Sequence, residues 1–103
     1  RDFVYIDDVV DAIWSSINRS GSNFEVINLS SGKKTKVLEV LESINNNLSD
    51  NISINYISGT PGDQFGIYGS SDYALELFGW KSKMNFEDGM RKMISWAKRE
   101  INE

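Results

Sequence analysis

Arg1-Asp-Phe-Val-Tyr-Ile-Asp-Asp-Val-Val-Asp-Ala-Ile-Trp14 opens the chain, and its reading decides the fold. Phe3-Val4-Tyr5-Ile6 is aromatic and β-branched, which suits a half-buried strand. Asp7 or Asp8 stands where a helix begins. A carboxylate there can accept a main-chain N–H and faces the positive end of the helix dipole. Val9, Val10, Ile13 and Ile17 then recur at helical spacing. The stretch predicts a short strand running directly into a helix. Arg1, in front of it, is a permanently charged planar donor whose fork fits two phosphate or carboxylate oxygens.

The same reading extends outward. Asn18 to Asn23 is a polar loop with Gly21 as the helix stop. Phe24-Glu-Val-Ile-Asn-Leu29 is a second strand. Ser30 to Lys34 is a loop, and Thr35 is the N-cap of a second helix. Val37, Leu38, Val40, Leu41, Ile44 and Leu48 mark that helix's apolar face. Ile52-Ser-Ile-Asn-Tyr-Ile57 alternates at period two and predicts a third strand. Ser58 to Gly66 is a loop holding the only proline, Pro61. Ile67-Tyr68 is a very short strand. Ser71 or Asp72 caps a short helix over Tyr73 to Phe78, stopped by Gly79. Asn85 caps a last helix, with Met90, Met93, Ile94, Ala97 and Ile101 on its apolar side. The expected fold class is α/β: a small mixed sheet of about three short strands, with amphipathic helices packed on it.

At 103 residues and 40% hydrophobic content, the chain makes one small domain, 1–103, with material for one modest core. A net charge of −4 argues against nucleic acid or an anionic membrane held by bulk electrostatics. The chain has no cysteine and no histidine. That excludes a disulfide framework, a Cys/His zinc site and a Ser-His-Asp or Cys-His mechanism. No apolar run approaches the ~20 residues of a membrane span. No signal peptide is apparent, and the abrupt start at Arg1 reads as the edge of a longer, cytoplasmic protein.

Four stretches invite a chemical reading. Ser31-Gly32-Lys33 lacks the upstream glycine and the following Ser or Thr of a phosphate loop, so it reads as a turn before a helix. Asp7, Asp8 and Asp11 lack the glycine-kinked loop of a metal site, and helix capping is the better account. Gly59-Thr60-Pro61-Gly62-Asp63 can bring main chain close to a ligand, and Asp63 offers an acceptor to sugar hydroxyls. As a bare pattern it is a turn. Tyr68 follows this loop. Tyr5 and Trp80 read as core, and Trp14, Phe86 and Trp96 as packing residues.

Arg1 to Trp14 also resembles the RDFVYVDDVVxAI segment of the nucleoside-diphosphate-sugar epimerases and dehydratases, the extended short-chain dehydrogenase/reductase family. Asn28-Leu-Ser-Ser-Gly-Lys33, Gly59-Thr-Pro-Gly-Asp63, Leu77-Phe-Gly-Trp80, Glu87-Asp-Gly89 and Trp96 follow in the order of that family's C-terminal part. The resemblance covers essentially the whole chain. It implies the C-terminal substrate-binding subdomain of an NAD-dependent enzyme, most readily a UDP-sugar 4-epimerase. Dehydratases and decarboxylases share the region. Family chemistry oxidises a sugar carbon by hydride transfer to NAD and then returns the hydride, with a Y-x-x-x-K pair as acid and base. Here Tyr5, Tyr56, Tyr68 and Tyr73 are followed four residues later by Val9, Thr60, Asp72 and Leu77. No dinucleotide glycine fingerprint occurs either. The resemblance thus assigns no catalytic, cofactor-binding or metal-binding residue to this chain. It leaves NAD to an N-terminal Rossmann domain absent from it. It implies substrate-binding roles for Arg1, on the diphosphate, and for Gly62, Asp63 and Tyr68. Relatives commonly read R-x-G-D where this chain has Thr60-Pro-Gly-Asp63, so one cation is lacking there. The implied partners are a nucleotide sugar and that Rossmann domain, and exposed apolar surface leaves room for a homodimer. A free-standing binding or interaction module, with no enzyme activity, is the alternative.

Overall fold

The apolar spacings produce four helices in the computed structural model, which describes residues 1–19, 21 and 23–101. They are α1 (Ile6–Ile17), α2 (Val37–Asn47), α3 (Asp72–Phe78) and α4 (Phe86–Ile101). Ser20 and Ser22 of the predicted 18–23 loop, and Asn102 and Glu103 at the end of the chain, lie outside the described residues.

The helix ends show which local signals operate. Asn85 caps α4 as predicted: its Oδ1 accepts the Asp88 main-chain N–H at 2.9 Å. Gly79 stops α3 in the left-handed conformation (φ 70°) and donates its N–H to the Leu75 carbonyl at 2.9 Å. Lys36, not Thr35, precedes α2, and Glu39 reaches back to accept the Lys36 main-chain N–H at 2.5 Å. Helix α1 ends before Gly21, where the Asn18 side chain donates to the Trp14 carbonyl at 2.9 Å. Asp7 and Asp8 lie in the first turn of α1, but neither side chain caps it.

The expected three-stranded mixed sheet does not form: no strand occurs among the described residues. Residues 24–29 and 52–57 contain the alternating, β-branched pattern but no ladder partner. A strand exists only as a hydrogen-bonded pair, and a side-chain pattern reports a surface, not a partner. The surfaces here are open: Phe24 is 93% exposed, Tyr56 80% and Ile57 90%. What remains of pairing among the described residues is an exchange at the chain's start. The Arg1 main-chain nitrogen donates to the Thr35 carbonyl at 2.7 Å, and the Thr35 N–H donates to the Arg1 carbonyl at 2.9 Å.

Apolar contact concentrates in two places. Ala12, Ala74 and Trp80 are buried together, with Val4, Ile27, Leu29 and Phe78 against them. Helices α2 and α4 pack on each other, and between them Val40, Ile44 and Leu48 face Met90, Met93 and Ile94 across a groove of about 500 Å3. Phe3 and Tyr5 also line that groove. Elsewhere the apolar faces are uncovered. Ile6, Val10, Ile13, Trp14 and Ile17 form one exposed stripe along α1. Trp14 and Trp96, read from sequence as packing residues, are both exposed, whereas Phe86 packs near Phe3 with ring centroids 6.1 Å apart.

The accessible surface is 8475 Å2. A folded monomer of 11.7 kDa exposes about 5,900 Å2. The radius of gyration, 16.8 Å, likewise exceeds the ~13 Å of a compact chain of about this length. The chain therefore buries only part of what its sequence marks as core.

Candidate functional site

Asp2 organises the polar end of the molecule. The strand-like start of the chain turns its carboxylate toward two loops, and one oxygen accepts both the Ser31 main-chain N–H (2.8 Å) and the Ser31 hydroxyl (2.6 Å). The other oxygen accepts the N–H groups of Gly32 (3.0 Å) and Gly69 (3.3 Å). Three segments distant in sequence thus meet on one side chain. Burial pushes the Asp2 carboxyl up, but the Ser31 hydroxyl and the N–H groups of Ser31, Gly69 and Gly32 outweigh it and hold the carboxyl below its ordinary range. Asp2 is therefore ionised throughout the neutral range.

Ser30 and Ser71 reinforce the junction. The Ser71 hydroxyl accepts the Ser30 N–H at 2.7 Å and donates to the Ser30 carbonyl at 2.9 Å. A Cβ on Gly69 would stand 3.2 Å from the Ser30 Cβ, so a side chain there would press the two loops apart by a few tenths of an ångström.

The junction also settles how the Ser31-Gly32-Lys33 turn is used. The N–H groups of Ser31 and Gly32, which a phosphate-cradling loop would offer to a ligand, are donated to Asp2. The turn is an internal tether. Gly32 adopts φ 70° there.

Arg1 and Tyr68, both expected to bind substrate, are brought into this region. Arg1 is paired with Thr35 through the main chain and adjoins Asp2. Tyr68 precedes Gly69, and its ring lies under the Lys34 ammonium, 4.5 Å from Nζ to centroid. Gly62 and Asp63 are placed on a separate exposed turn. Asp63 donates its N–H to the Thr60 carbonyl at 3.1 Å, and its Oδ2 accepts the Thr60 N–H at 2.9 Å. Among the described residues, no hydrogen bond or ion pair joins this turn to the Asp2 junction. Asp63 thus holds its own turn with one carboxylate oxygen.

The aspartates of α1 separate in role. Asp8 is buried, and its Oδ2 accepts the Ser82 hydroxyl and the Lys83 and Met84 N–H groups at 3.0–3.1 Å. Asp7 and Asp11 are exposed and face Lys92 (3.9 Å) and Lys83 (3.7 Å). No group of three metal-ligating side chains converges among the described residues. Helix capping, the reading from sequence, is replaced for Asp8 by a tether between α1 and the loop entering α4.

Sequence reasoning singled out neither Asp2 nor Lys34. Asp2 stood beside the conspicuous Arg1, and its partners lie 29 to 67 residues away. Lys34 was read only as the residue that breaks a phosphate-loop pattern.

A search of family models finds no match. The fold and sequence match known enzymes over nearly the whole of this chain. A UDP-glucose 4-epimerase from Bifidobacterium longum, solved with NAD+ and UDP, superposes on 99% of this chain with a TM-score of 0.90. The superposition covers 31% of that enzyme, and at 23% identity it establishes the fold alone. The Bordetella bronchiseptica enzyme WbmF, solved with NAD+ and UDP, is 28% identical over 99% of this chain and 30% of its own, with a TM-score of 0.77. A putative UDP-glucose 4-epimerase of Methanocaldococcus jannaschii is 30% identical over 95% of this chain and 31% of its own length. Over most of its own length the chain is similar to UDP-glucose and UDP-glucuronate 4-epimerases. It spans about three-tenths of the length of the relatives it matches.

Proposed function

We propose that this chain is the C-terminal, substrate-binding part of an NAD-dependent sugar-nucleotide epimerase, most specifically a UDP-sugar 4-epimerase of the cytoplasm. An N-terminal Rossmann domain completes it. The observation that carries the reading is the junction at Asp2. It sets Arg1 and Tyr68 at one edge of a fold shared with enzymes that were solved with UDP and NAD+. The uncovered apolar stripe on α1 supports the second domain, because that stripe has the spacing of a buried helix face and no cover among the described residues.

No residue of this chain is assigned to NAD. In the Ser31-Gly32-Lys33 turn ahead of α2, the Ser31 and Gly32 amides are committed to Asp2 and are not offered to a dinucleotide. When bound by the Rossmann domain, NAD supplies the hydride acceptor. The part played by this chain is to hold the substrate. Arg1 offers a two-pronged donor to the diphosphate. Asp2 fixes the loops around it, and the Tyr68 ring gives an apolar wall with a hydroxyl at its edge. Gly62 and Asp63 form a turn able to approach the ribose or sugar.

In the intact protein, Arg1→Ala is expected to weaken UDP binding by about 1.5–3 kcal/mol, the range for a hydrogen bond to a charged group. Isothermal calorimetry with UDP measures this directly. A Kd equal to that of the unmodified protein would remove Arg1 from the site.

A further inference from the structure

We propose that Lys34 is a second cation of this binding site, held over the Tyr68 ring and directed at the diphosphate of a nucleoside-diphosphate ligand. The inference rests on the binding role proposed above and adds a residue to it.

The charge distribution points to an anion. The chain has 11 basic and 15 acidic residues, yet Arg1, Lys33, Lys34 and Lys36 cluster about the single Arg1–Thr35 main-chain pair. Among the described residues, none of these four side chains lies within ion-pair distance of a carboxylate. The other basic residues include Arg19, Lys83, Arg91 and Lys92, which do pair, with Glu25, Asp11, Asp88 and Asp7. Asp2, the nearest acid in sequence, has both carboxylate oxygens engaged by N–H and hydroxyl donors. The cluster is thus a patch of positive charge that the chain does not pair internally.

Lys34 is the member with a defined position. Its ammonium sits 4.5 Å from the centroid of Tyr68. A ring face attracts a cation without replacing its charge or saturating its three N–H donors. The ammonium is therefore held in place and still able to bind an anion. Lys34 directly precedes Thr35, whose main chain pairs with that of Arg1, and side chains alternate along an extended pair, so Lys34 stands on the Asp2 and Tyr68 side of it. The exposed turn at residues 59–63 carries Asp63 and no cation, so it supplies nothing equivalent.

The test uses the intact protein and titrates uridine, UMP and UDP by calorimetry at low and high salt. Lys34→Gln is expected to raise the UDP Kd about 3- to 10-fold, to leave uridine unchanged, and to flatten the salt dependence of UDP binding. Lys34→Arg restores most of the UDP affinity. UDP affinity unchanged in Lys34→Gln overturns this inference and leaves the proposed function standing. So does an equal loss for uridine and UDP, since that marks a general disturbance of the loop. Absence of UDP binding by the unmodified protein overturns both.

Discussion

Asp8→Ala is expected to destabilise the protein by roughly 3–5 kcal/mol, the cost of removing one partner from a buried charged network. Asp8 is 5% exposed, and its Oδ2 holds the Ser82 hydroxyl and the N–H groups of Lys83 and Met84. Alanine leaves three donors without an acceptor in a space too close to the core for free hydration. Each unsatisfied group costs about 1–3 kcal/mol, and relaxation of the exposed loop recovers part of the total. The effect reaches further than one loop, because residues 80–84 lead into α4. Asp8→Asn keeps the size and one acceptor but loses the charge, and about 1–2 kcal/mol of stabilisation goes with it. Urea unfolding of the intact protein followed by circular dichroism measures both. An Asp8→Ala midpoint indistinguishable from the unmodified protein would show that the loop is held by something else.

Trp80→Ala is the second large effect, about 3–5 kcal/mol for an aromatic removed from a core. Trp80 is 5% exposed among Ala12, Ala74 and the half-buried Val4, Ile27, Leu29 and Phe78. Its indole N–H donates to the Asp8 carbonyl at 2.7 Å. The two alanines are the reason the cost is high. They leave room for one large ring, and neither alanine can extend into the hole that its removal leaves. Trp80→Phe retains most of the volume and loses the hydrogen bond, for about 1–2 kcal/mol. Thermal unfolding gives the comparison. Trp96 is exposed, so alanine there is the control, and equal losses at the two positions would contradict the assignment of Trp80 as the core residue.

The helices were legible in the sequence because their signals are local. Val40, Ile44 and Leu48 recur at a helix's own period, and Asn85 and Gly79 mark its ends within a few residues. The sheet was not legible. The alternation of Ile52 to Ile57 is real, but pairing is decided by another segment, and none within the described residues supplies the ladder. The site divides in the same way. Arg1 and Tyr68 are notable by residue type alone. Asp2 acquires its role only through Ser31, Gly32 and Gly69, and Lys34 only through Tyr68. Asp8 shows the limit most plainly: its place in the first turn of α1 suggests a cap, whereas its partners are 74 to 76 residues away.

The central claim is that this chain holds a sugar nucleotide for an epimerase. Its most direct test is incubation of the intact protein with UDP-glucose, UDP-galactose, UDP-glucuronate and dTDP-glucose, with products followed by NMR. Inversion at C4 of a UDP-sugar is the predicted result. No turnover of any of the four, together with no binding of UDP, would contradict the account and favour a binding or interaction module with a different ligand.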